Sequence, residues 1–352
     1  MKYALALSSE GDTGRMALSE EGRAPERQHK KVQSEELAIG FGLVAVEKLL
    51  RERYPERRFS VVSAEAALRA GWPLTGSAYR PHFFVEAWHP DAPSTVFPVV
   101  CKGHHGRAAS SYSQLASASA HVEAAHIGEW NQTPAYVFST ELSMKGPVVV
   151  HALQAHGKEG ALPNAGDQMN MALEDQGLSP FITKPADGNV REEPLSGFHV
   201  PPQEAAWFQK VMARTDAAGL AAFTGDNKVT ADHLTRRQGK KGYEKGGHSA
   251  ISSSRDEEHL FLGHRFVGTD HVFRIHNVRV EVFSGVEADL FALLEKGDVN
   301  GYRRKLDSIV GSKPRAGWMD QWNGAVSVRP DGSVLAIRRL QADRPTHPRW
   351  RR

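Results

Sequence analysis

The chain has 352 residues, with 44 Lys or Arg against 41 Asp or Glu, so its net charge is only +3. Charges this balanced do not indicate nucleic-acid binding by themselves, and a single cysteine excludes a disulfide framework and fits a reducing compartment. No apolar run approaches the ~18 residues that a membrane helix needs, and the N-terminus lacks the apolar length of a signal peptide, so we expect a cytoplasmic protein.

The length suggests about two domains, and the first of them is predicted to begin with a polar lead-in and a long helix. Ser34 is a suitable N-cap residue, and Glu35 and Glu36 follow it in the first turn, where the helix dipole favours acidic side chains. This helix is predicted to end near Tyr54, and residues 57–62 to form a strand. The charges of residues 1–33 favour a solvated segment.

Residues 77–125 are predicted to form two strands and a helix. The two apolar runs are short, aromatic and β-branched, and a turn-rich loop separates them. Lys102 lies where the second strand is predicted to end. Cys101 precedes it inside the strand, and a buried, inert thiol is the favoured interpretation. The small residues of the following helix would let it lie close to a sheet.

This order of elements, with Arg80-Pro81-His82 opening one strand and Val100-Cys101-Lys102 closing the next, resembles the PD-(D/E)xK nuclease fold of restriction endonucleases. The resemblance covers roughly residues 30–155. It implies a mixed sheet flanked by helices, in which two carboxylates hold a divalent metal and the lysine assists the attacking water. By the same resemblance Lys102, Gln114 and Glu35 or Glu36 are candidate catalytic residues.

The sequence departs from the family pattern at both metal-binding acids, where it has His82 and Val100. Magnesium needs oxygen ligands in near-octahedral geometry, and Val100 offers none. Glu86 comes four residues after His82, about 13 Å further along a strand, so it does not simply replace the missing acid. Two alternatives follow: the fold is kept and the chemistry is lost, or the site is rebuilt around His82 and Lys102.

A rebuilt site would draw its metal ligands from His82, Glu86 and His104, with His105 and the helix glutamates as further candidates. Imidazole ligands suit manganese, zinc or nickel better than magnesium. No cofactor is therefore certain, and a divalent metal (Mg or Mn) is expected only if the protein is catalytically active. We give the loss of chemistry more weight than the rebuilt site.

The remainder of the chain is predicted to add strands, a linker and a second domain. Two strands at 135–155 would complete the first sheet, the second of them as a possible central strand. Residues 156–202, rich in Gly and Pro, are predicted to form an irregular linker. Residues 203–352 are predicted to form an α+β domain with a helix at 203–223, antiparallel strands at 260–284, two helices at 285–310 and a hairpin turning at Pro330-Asp331-Gly332.

Two basic segments of this second domain could contact phosphates. One is a Gly-rich loop that carries Arg236, Arg237, Lys240, Lys241 and Lys245, and the other is the Arg-rich tail. A solvated loop and a disordered tail are the alternatives.

The favoured function is therefore DNA binding by a degenerate nuclease fold. The alternatives are a structural or assembly protein with a protein partner or a homo-oligomer, a metal-dependent deoxyribonuclease with a rebuilt site, and a different enzyme that uses His and Glu near Lys102 for acid–base work.

Overall fold

The computed structural model describes residues 6–10, 14–71, 79–128, 133–158, 160–178, 182–183, 194–195, 197–245, 257–275, 278–309 and 315–340. The chain divides into two compact units. The first comprises Met1–Ala165 and Asp175–Met212, and the second comprises Gly166–Glu174 and Ala213–Arg352. The predicted boundaries, 1–155 and 203–352 with a linker between them, differ from this division.

The first unit contains four helices and twelve strands within the described residues. The strands are β1 (Leu7–Glu10), β2 (Arg15–Leu18), β3 (Arg58–Ser63), β4 (Phe83–His89), β5 (Ala92–His104), β6 (Ala125–Ile127), β7 (Ala135–Leu142), β8 (Val148–Ala155), β9 (Ala161–Leu162), β10 (Ile182–Thr183), β11 (Pro194–Leu195) and β12 (Phe198–Val200). The helices are α1 (Glu20–Arg23), α2 (Arg27–Arg53), α3 (Ala64–Arg69) and α4 (Ala108–Glu123).

The main sheet of this unit is mixed, with the strand order β3-β4-β5-β7-β8 and β9 paired to β5. Strands β3, β4 and β5 are antiparallel neighbours, β7 is parallel to β5, and β8 is antiparallel to β7. Helix α4 connects the two parallel strands, as a crossover connection must. The α/β class and the mixed sheet flanked by helices are therefore confirmed.

The two faces of the sheet bury different helices because successive strand residues alternate in direction. On one face, Val46 and Leu50 of α2 pack with Phe97, Cys101 and Phe138. The other face packs against α4, where the contacting residues are Val100, Leu115, Ala118, Val122, Ala135 and Val137. Cys101 is buried, as predicted, and burial raises the pKa of its thiol to about 12.

Two glycines let α2 lie close to the sheet. A Cβ on Gly42 would lie 2.5 Å from the Cys101 sulfur, and a Cβ on Gly103 would lie 2.1 Å from the Ser34 carbonyl oxygen. Any other residue at either position would push the helix away from β5. The strand that carries Lys102 is therefore held firmly from the α2 side.

The predicted start of α2 at Ser34 is wrong. The helix begins at Arg27, and its N-cap residue is Glu26, eight positions before Ser34. Ser34 lies inside the helix, where its hydroxyl donates to the Lys31 carbonyl at 2.9 Å. A serine hydroxyl can form such a hydrogen bond within a helix, so the presence of a serine at position 34 did not indicate the start of α2.

Strand β8 is the last strand in the order of the main sheet, not a central strand. Its apolar, β-branched sequence suggested a buried central strand, but Val149 and Leu153 are about 40 % exposed. Residues 156–202 are not a single linker either. Strand β9 pairs with β5, and β12 pairs in parallel with β6, so both belong to the first unit.

The second unit combines helices with a six-stranded antiparallel sheet. Helix α5 (Ala205–Thr224) crosses the division between the units, and α6 (Asn227–His233), α7 (Lys240–Glu244), α8 (Ala288–Glu295) and α9 (Val299–Ile309) follow. The strands are β13 (Glu257–Phe261), β14 (His264–Ile275), β15 (Val278–Glu287), β16 (Arg315–Met319), β17 (Gly324–Val328) and β18 (Ser333–Leu340), in the order β13-β14-β15-β18-β17-β16. The predicted strands, helices and hairpin are confirmed.

A short segment of the predicted linker belongs to this second unit because polar side chains hold it there. Asn170 donates to Asp298 at 2.8 Å and accepts from the backbone N–H of Asn300 at 2.9 Å. Asn300 donates in turn to Asp167 at 2.7 Å. These partners are about 130 positions apart in the chain, so local sequence gave no sign of them.

Candidate functional site

A row of polar side chains crosses the α4 face of the first sheet. Lys102 of β5 is in register with Ser139 of β7, and Ser139 is in register with His151 of β8. The next row places His104 opposite Glu141. Because β5 and β7 are parallel, their carboxyl ends meet at one edge of the sheet, where α4 begins. These five residues are called the polar row below.

Gln114 of α4 ties the helix to the polar row. Its amide nitrogen donates to the Gly103 carbonyl at 3.3 Å, and its amide oxygen accepts from the Ser139 hydroxyl at 2.8 Å. Both hydrogen bonds fix the height of α4 above β5 and β7. The structure therefore brings Gln114 close to the strand end that carries Lys102, two residues that the sequence had singled out.

His104 has both ring nitrogens engaged. Its Nδ1 accepts from the Gly106 backbone N–H at 2.8 Å, so its Nε2 carries the proton of the neutral ring and donates to Ser111 at 2.7 Å. Burial is the main cause that lowers the pKa of His104, and the charge of Glu141 opposes that shift. A metal ligand needs a free ring nitrogen, which His104 does not offer in this arrangement.

Glu141 and His151 form a pair at the edge of the row. The Nε2 of His151 lies 3.4 Å from the Glu141 carboxylate, and each side chain is less than 20 % exposed. Tyr112 of α4 lies edge-on to His151, with 5.7 Å between the ring centres. The carboxylate of Glu141 is thus shared with imidazole groups.

His82 immediately precedes β4, on the same face of the sheet. Its Nδ1 accepts from the Cys101 backbone N–H at 3.3 Å, which leaves the Nε2–H as the donor of the neutral ring. Burial, then the charge of Lys102, then His121 lower the pKa of His82 to about 4. His82 is therefore a neutral hydrogen-bond donor at pH 7, beside a cation.

Lys102 is half-buried, and within the part of the chain that the structure describes it makes no hydrogen bond or ion pair. An ammonium group that has lost part of its hydration without gaining a partner is costly. Its environment, with the N–H of His82 nearby and the first turn of α4 beyond the strand end, suits an anion.

The remaining predicted site residues are not part of this group. Glu35 and Glu36 are exposed on α2, which packs on the opposite face of the sheet from Lys102. Glu86 is fully buried in the middle of β4, opposite Ser60 and Val96. Among the described residues no three His, Cys, Asp or Glu side chains are grouped so that they could hold a metal ion.

The basic segment of the second unit is a structured turn between α6 and α7 rather than a plain loop. The Thr235 hydroxyl accepts from the Gln238 N–H at 3.2 Å, and the Gln238 side chain accepts from the Thr235 N–H at 3.0 Å. This reciprocal pair has the form of a capping box. It presents Arg236 and Arg237 to solvent, and Lys241 and Lys245 are exposed on and after α7.

Lys240 is half-buried beside this turn, and residues 246–256 and the basic tail after Leu340 lie outside the described residues. Two acidic residues, Asp232 and Glu244, are exposed among the basic ones. The exposed part of the segment, called the basic turn below, consists of Arg236, Arg237, Lys241 and Lys245.

Comparison with models of protein families, with curated proteins and with solved structures finds no match. In the described residues no helix is both long and apolar enough to cross a membrane.

Sequence reasoning missed three members of the polar row: Ser139, Glu141 and His151. Ser139 and Glu141 are alternate residues of β7, and such a spacing places two side chains on one face of a strand. That signal was present in the sequence. The parallel pairing that brings them next to Lys102 and His104 was not.

Proposed function

We propose that the first unit binds the phosphodiester backbone of DNA at the polar row and does not cleave it with a metal ion. The observation that carries this proposal is Lys102, a half-buried ammonium without a partner among the described residues. A phosphate oxygen would supply the missing charge and accept the Nε2–H of His82. Such charge-assisted hydrogen bonds are stronger than neutral ones.

The start of α4 supports the same ligand. This helix has 16 residues, and its N-cap residue, Arg107, makes no side-chain hydrogen bond to the first turn. The N–H groups of that turn and the helix dipole favour a negative charge. Lys102 and the first turn of α4 flank one short connection, so a phosphate between them gains from both.

The order of elements also supports a degenerate nuclease fold as the origin of this site. A helix, three antiparallel strands, a helix and a parallel strand follow in the order α2, β3, β4, β5, α4 and β7, with α3 and β6 as short additions between them. Lys102 lies at the end of β5, and His82 lies just before β4. The positions that would carry metal-binding acids hold His82 and the buried Val100, which favours binding over cleavage.

The basic turn is a second contact for DNA in this proposal. Its exposed arginines and lysines can neutralise phosphates without reading base sequence. The capping-box pair holds Arg236 and Arg237 on an ordered backbone, which reduces the conformational entropy lost on binding. DNA binding through this surface should weaken as salt concentration rises.

The proposal is tested by measuring binding of a fluorescently labelled 30-base-pair duplex and cutting of plasmid DNA, in magnesium, in manganese and in chelator, at two salt concentrations. We expect salt-sensitive binding, no cutting, and at least fivefold weaker binding for Lys102→Met. The matched control is Lys48→Met, which removes an exposed lysine from α2. It should bind as the wild type does.

Other results would select other functions. Metal-dependent cutting that is lost in Lys102→Met would show a rebuilt nuclease site and overturn the proposal of a degenerate fold. Absence of both binding and cutting would favour a structural or assembly role. Binding that is equal in Lys102→Met and Lys48→Met would remove the polar row as the contact.

A further inference from the structure

Two histidines and Lys102 lie together beside the start of β4 in the first unit. His82 immediately precedes β4, and His121 lies near the end of α4. Their ring centres are 6.5 Å apart, and the ring planes meet at 68°. Both side chains are partly exposed, and the charges of His121 and Lys102 both act on the ring of His82. These three residues are called the His-Lys cluster below.

Backbone hydrogen bonds fix opposite tautomers in the two rings. The Nδ1 of His121 lies 3.0 Å from the Arg80 carbonyl oxygen, which can only accept, so the Nε2 of the neutral ring has a free lone pair. In His82 the Nδ1 accepts from the Cys101 N–H, so the Nε2 carries the proton. One ring is therefore a proton acceptor and the other is a donor. Within the described residues neither Nε2 atom forms a hydrogen bond.

An exposed aromatic ring borders the His-Lys cluster. Tyr79 lies edge-on to His121, with 5.3 Å between the ring centres, and it is 49 % exposed. Such a ring can stack with an unpaired base of a single strand. Arg80, the next residue in the chain, is paired with Glu65 at 3.2 Å, whereas Lys102 has no ion pair among the described residues. The cluster thus combines a cation for phosphate with a ring for a base.

We propose that the His-Lys cluster cleaves single-stranded RNA without a metal ion, by attack of a ribose 2′-hydroxyl on the neighbouring phosphorus. This inference rests on the proposed function, because both place a phosphate at Lys102 and His82. The reaction needs a proton acceptor, an N–H donor and a proton source from the protein, because its nucleophile is part of the substrate and already close to the phosphorus. DNA lacks the 2′-hydroxyl, so the same contacts bind DNA and leave it intact.

Each group of the cluster has one role in this reaction. The Nε2 of His121 takes the proton of the 2′-hydroxyl, the 2′-oxygen forms a bond to phosphorus, and the bond to the 5′-oxygen breaks. The leaving 5′-oxygen takes a proton from the Lys102 ammonium, and the His82 Nε2–H donates to a phosphate oxygen throughout. A proton then passes through solvent from the His121 imidazolium to the Lys102 amine, which restores both groups. The products are a 2′,3′-cyclic phosphate and a 5′-hydroxyl.

The test uses a labelled 12-nucleotide DNA single strand with one ribouridine in its middle, in the presence of chelator. Only the phosphate after that ribose can be attacked, and an all-deoxy strand of the same sequence is the uncut reference. His121→Asn removes the basic nitrogen, while its amide nitrogen can still donate to the Arg80 carbonyl. The matched control is His29→Asn, which changes an exposed histidine of α2, on the opposite face of the sheet. Thermal unfolding of each variant checks that the fold is retained.

We expect the wild type and His29→Asn to cut the strand once, at the ribose, and mass spectrometry to identify the cyclic phosphate. His121→Asn should cut about a hundredfold more slowly, with unchanged affinity for the DNA duplex. Equal cutting by His121→Asn and the wild type would overturn the inference, because a contaminating ribonuclease gives that result. Cutting that requires magnesium or manganese would overturn it in favour of a metal site.

The duplex measurement separates this inference from the proposed function. Binding of the DNA duplex that Lys102→Met weakens, without cutting of the ribose-containing strand, overturns the inference and leaves the proposed function in place. Cutting that is lost in His121→Asn, without binding of the duplex, supports the inference and overturns DNA as the ligand. Absence of both binding and cutting overturns both.

Discussion

At the scale of single residues, the relation between Lys102 and His82 gives a measurable consequence. The charge of Lys102 is the second cause, after burial, that lowers the pKa of His82 to about 4. Lys102→Met removes that charge and leaves the burial, so the pKa of His82 should rise part of the way towards 6.5. The measurement is an NMR titration of the His82 ring protons.

In the same titration, His233 serves as an internal reference. The pKa of His233, in the second unit, is lowered by burial and then by Arg214, and should not respond to Lys102→Met. Inorganic phosphate should raise the pKa of His82 in the wild type, because an anion at Lys102 favours the imidazolium. An unchanged His82 pKa in the variant would mean that Lys102 does not face His82 in solution.

Sequence reasoning at this scale identified Lys102 and Gln114, because each lies within a local pattern that can be inspected along the chain. It did not identify Ser139, Glu141 or His151. Ser139 and Glu141 pair with β5 residues more than 30 positions away, and His151 joins them only through the pairing of β8 with β7. Residue type alone does not specify a partner strand. The expected contribution of Glu35 and Glu36 depended on which face of the sheet α2 packs against. The sequence of a helix does not specify that face.

At the scale of elements, the basic turn predicts a salt effect. Each phosphate that a protein neutralises contributes about 0.9 to the slope of log affinity against log salt concentration. The double variant Arg236→Gln, Lys241→Gln removes two exposed cations, so the slope for duplex DNA should fall by about 2. Binding titrations at four salt concentrations measure it.

The matched control for the basic turn is the double variant Lys296→Gln, Arg304→Gln, which makes the same change of charge at exposed positions of the second unit. Its slope should stay close to that of the wild type. Equal effects of the two double variants would mean that the overall charge, rather than the basic turn, governs binding.

Local sequence patterns predicted some of the helices, strands and turns correctly and others incorrectly. The hairpin at Pro330-Asp331-Gly332 was predictable because Gly332 adopts a positive φ of 81°, which its type permits. The start of α2 was not predictable, because a serine such as Ser34 can either cap a helix or lie inside one. The burial of strand β8 also failed as a prediction, since an apolar sequence does not determine how many neighbours a strand has.

At the scale of the whole molecule, the division into two units was the least predictable feature. The Gly- and Pro-rich region indicated a linker, yet the segment Gly166–Glu174 belongs to the second unit and the strands before and after it belong to the first. The hydrogen bonds of Asn170 with Asp298 and Asn300 explain this exchange. Such contacts depend on the completed fold and leave no local pattern.

Each unit contains a histidine whose pKa is lowered to about 4, mainly by burial: His82 in the first unit and His233 in the second. The unfolded chain binds protons at these residues below pH 6.5, whereas the folded chain binds them only near pH 4. Between these values the unfolded state therefore holds more protons, and stability falls as the pH falls. We expect both units to lose stability between pH 6.5 and 4.

His233 allows the size of this effect to be measured, because it is fully buried and its Nε2–H donates to the Leu294 carbonyl at 2.8 Å. Lowering the pKa of His233 from 6.5 to about 4 corresponds to on the order of 3 kcal/mol at most. His233→Gln keeps an amide donor for Leu294 and removes the titration, so this variant should lose correspondingly less stability between pH 6.5 and 4. Denaturant unfolding at both pH values, followed by hydrogen exchange for each unit, measures the difference. An identical acid sensitivity of variant and wild type in the second unit would show that His233 is not the group responsible.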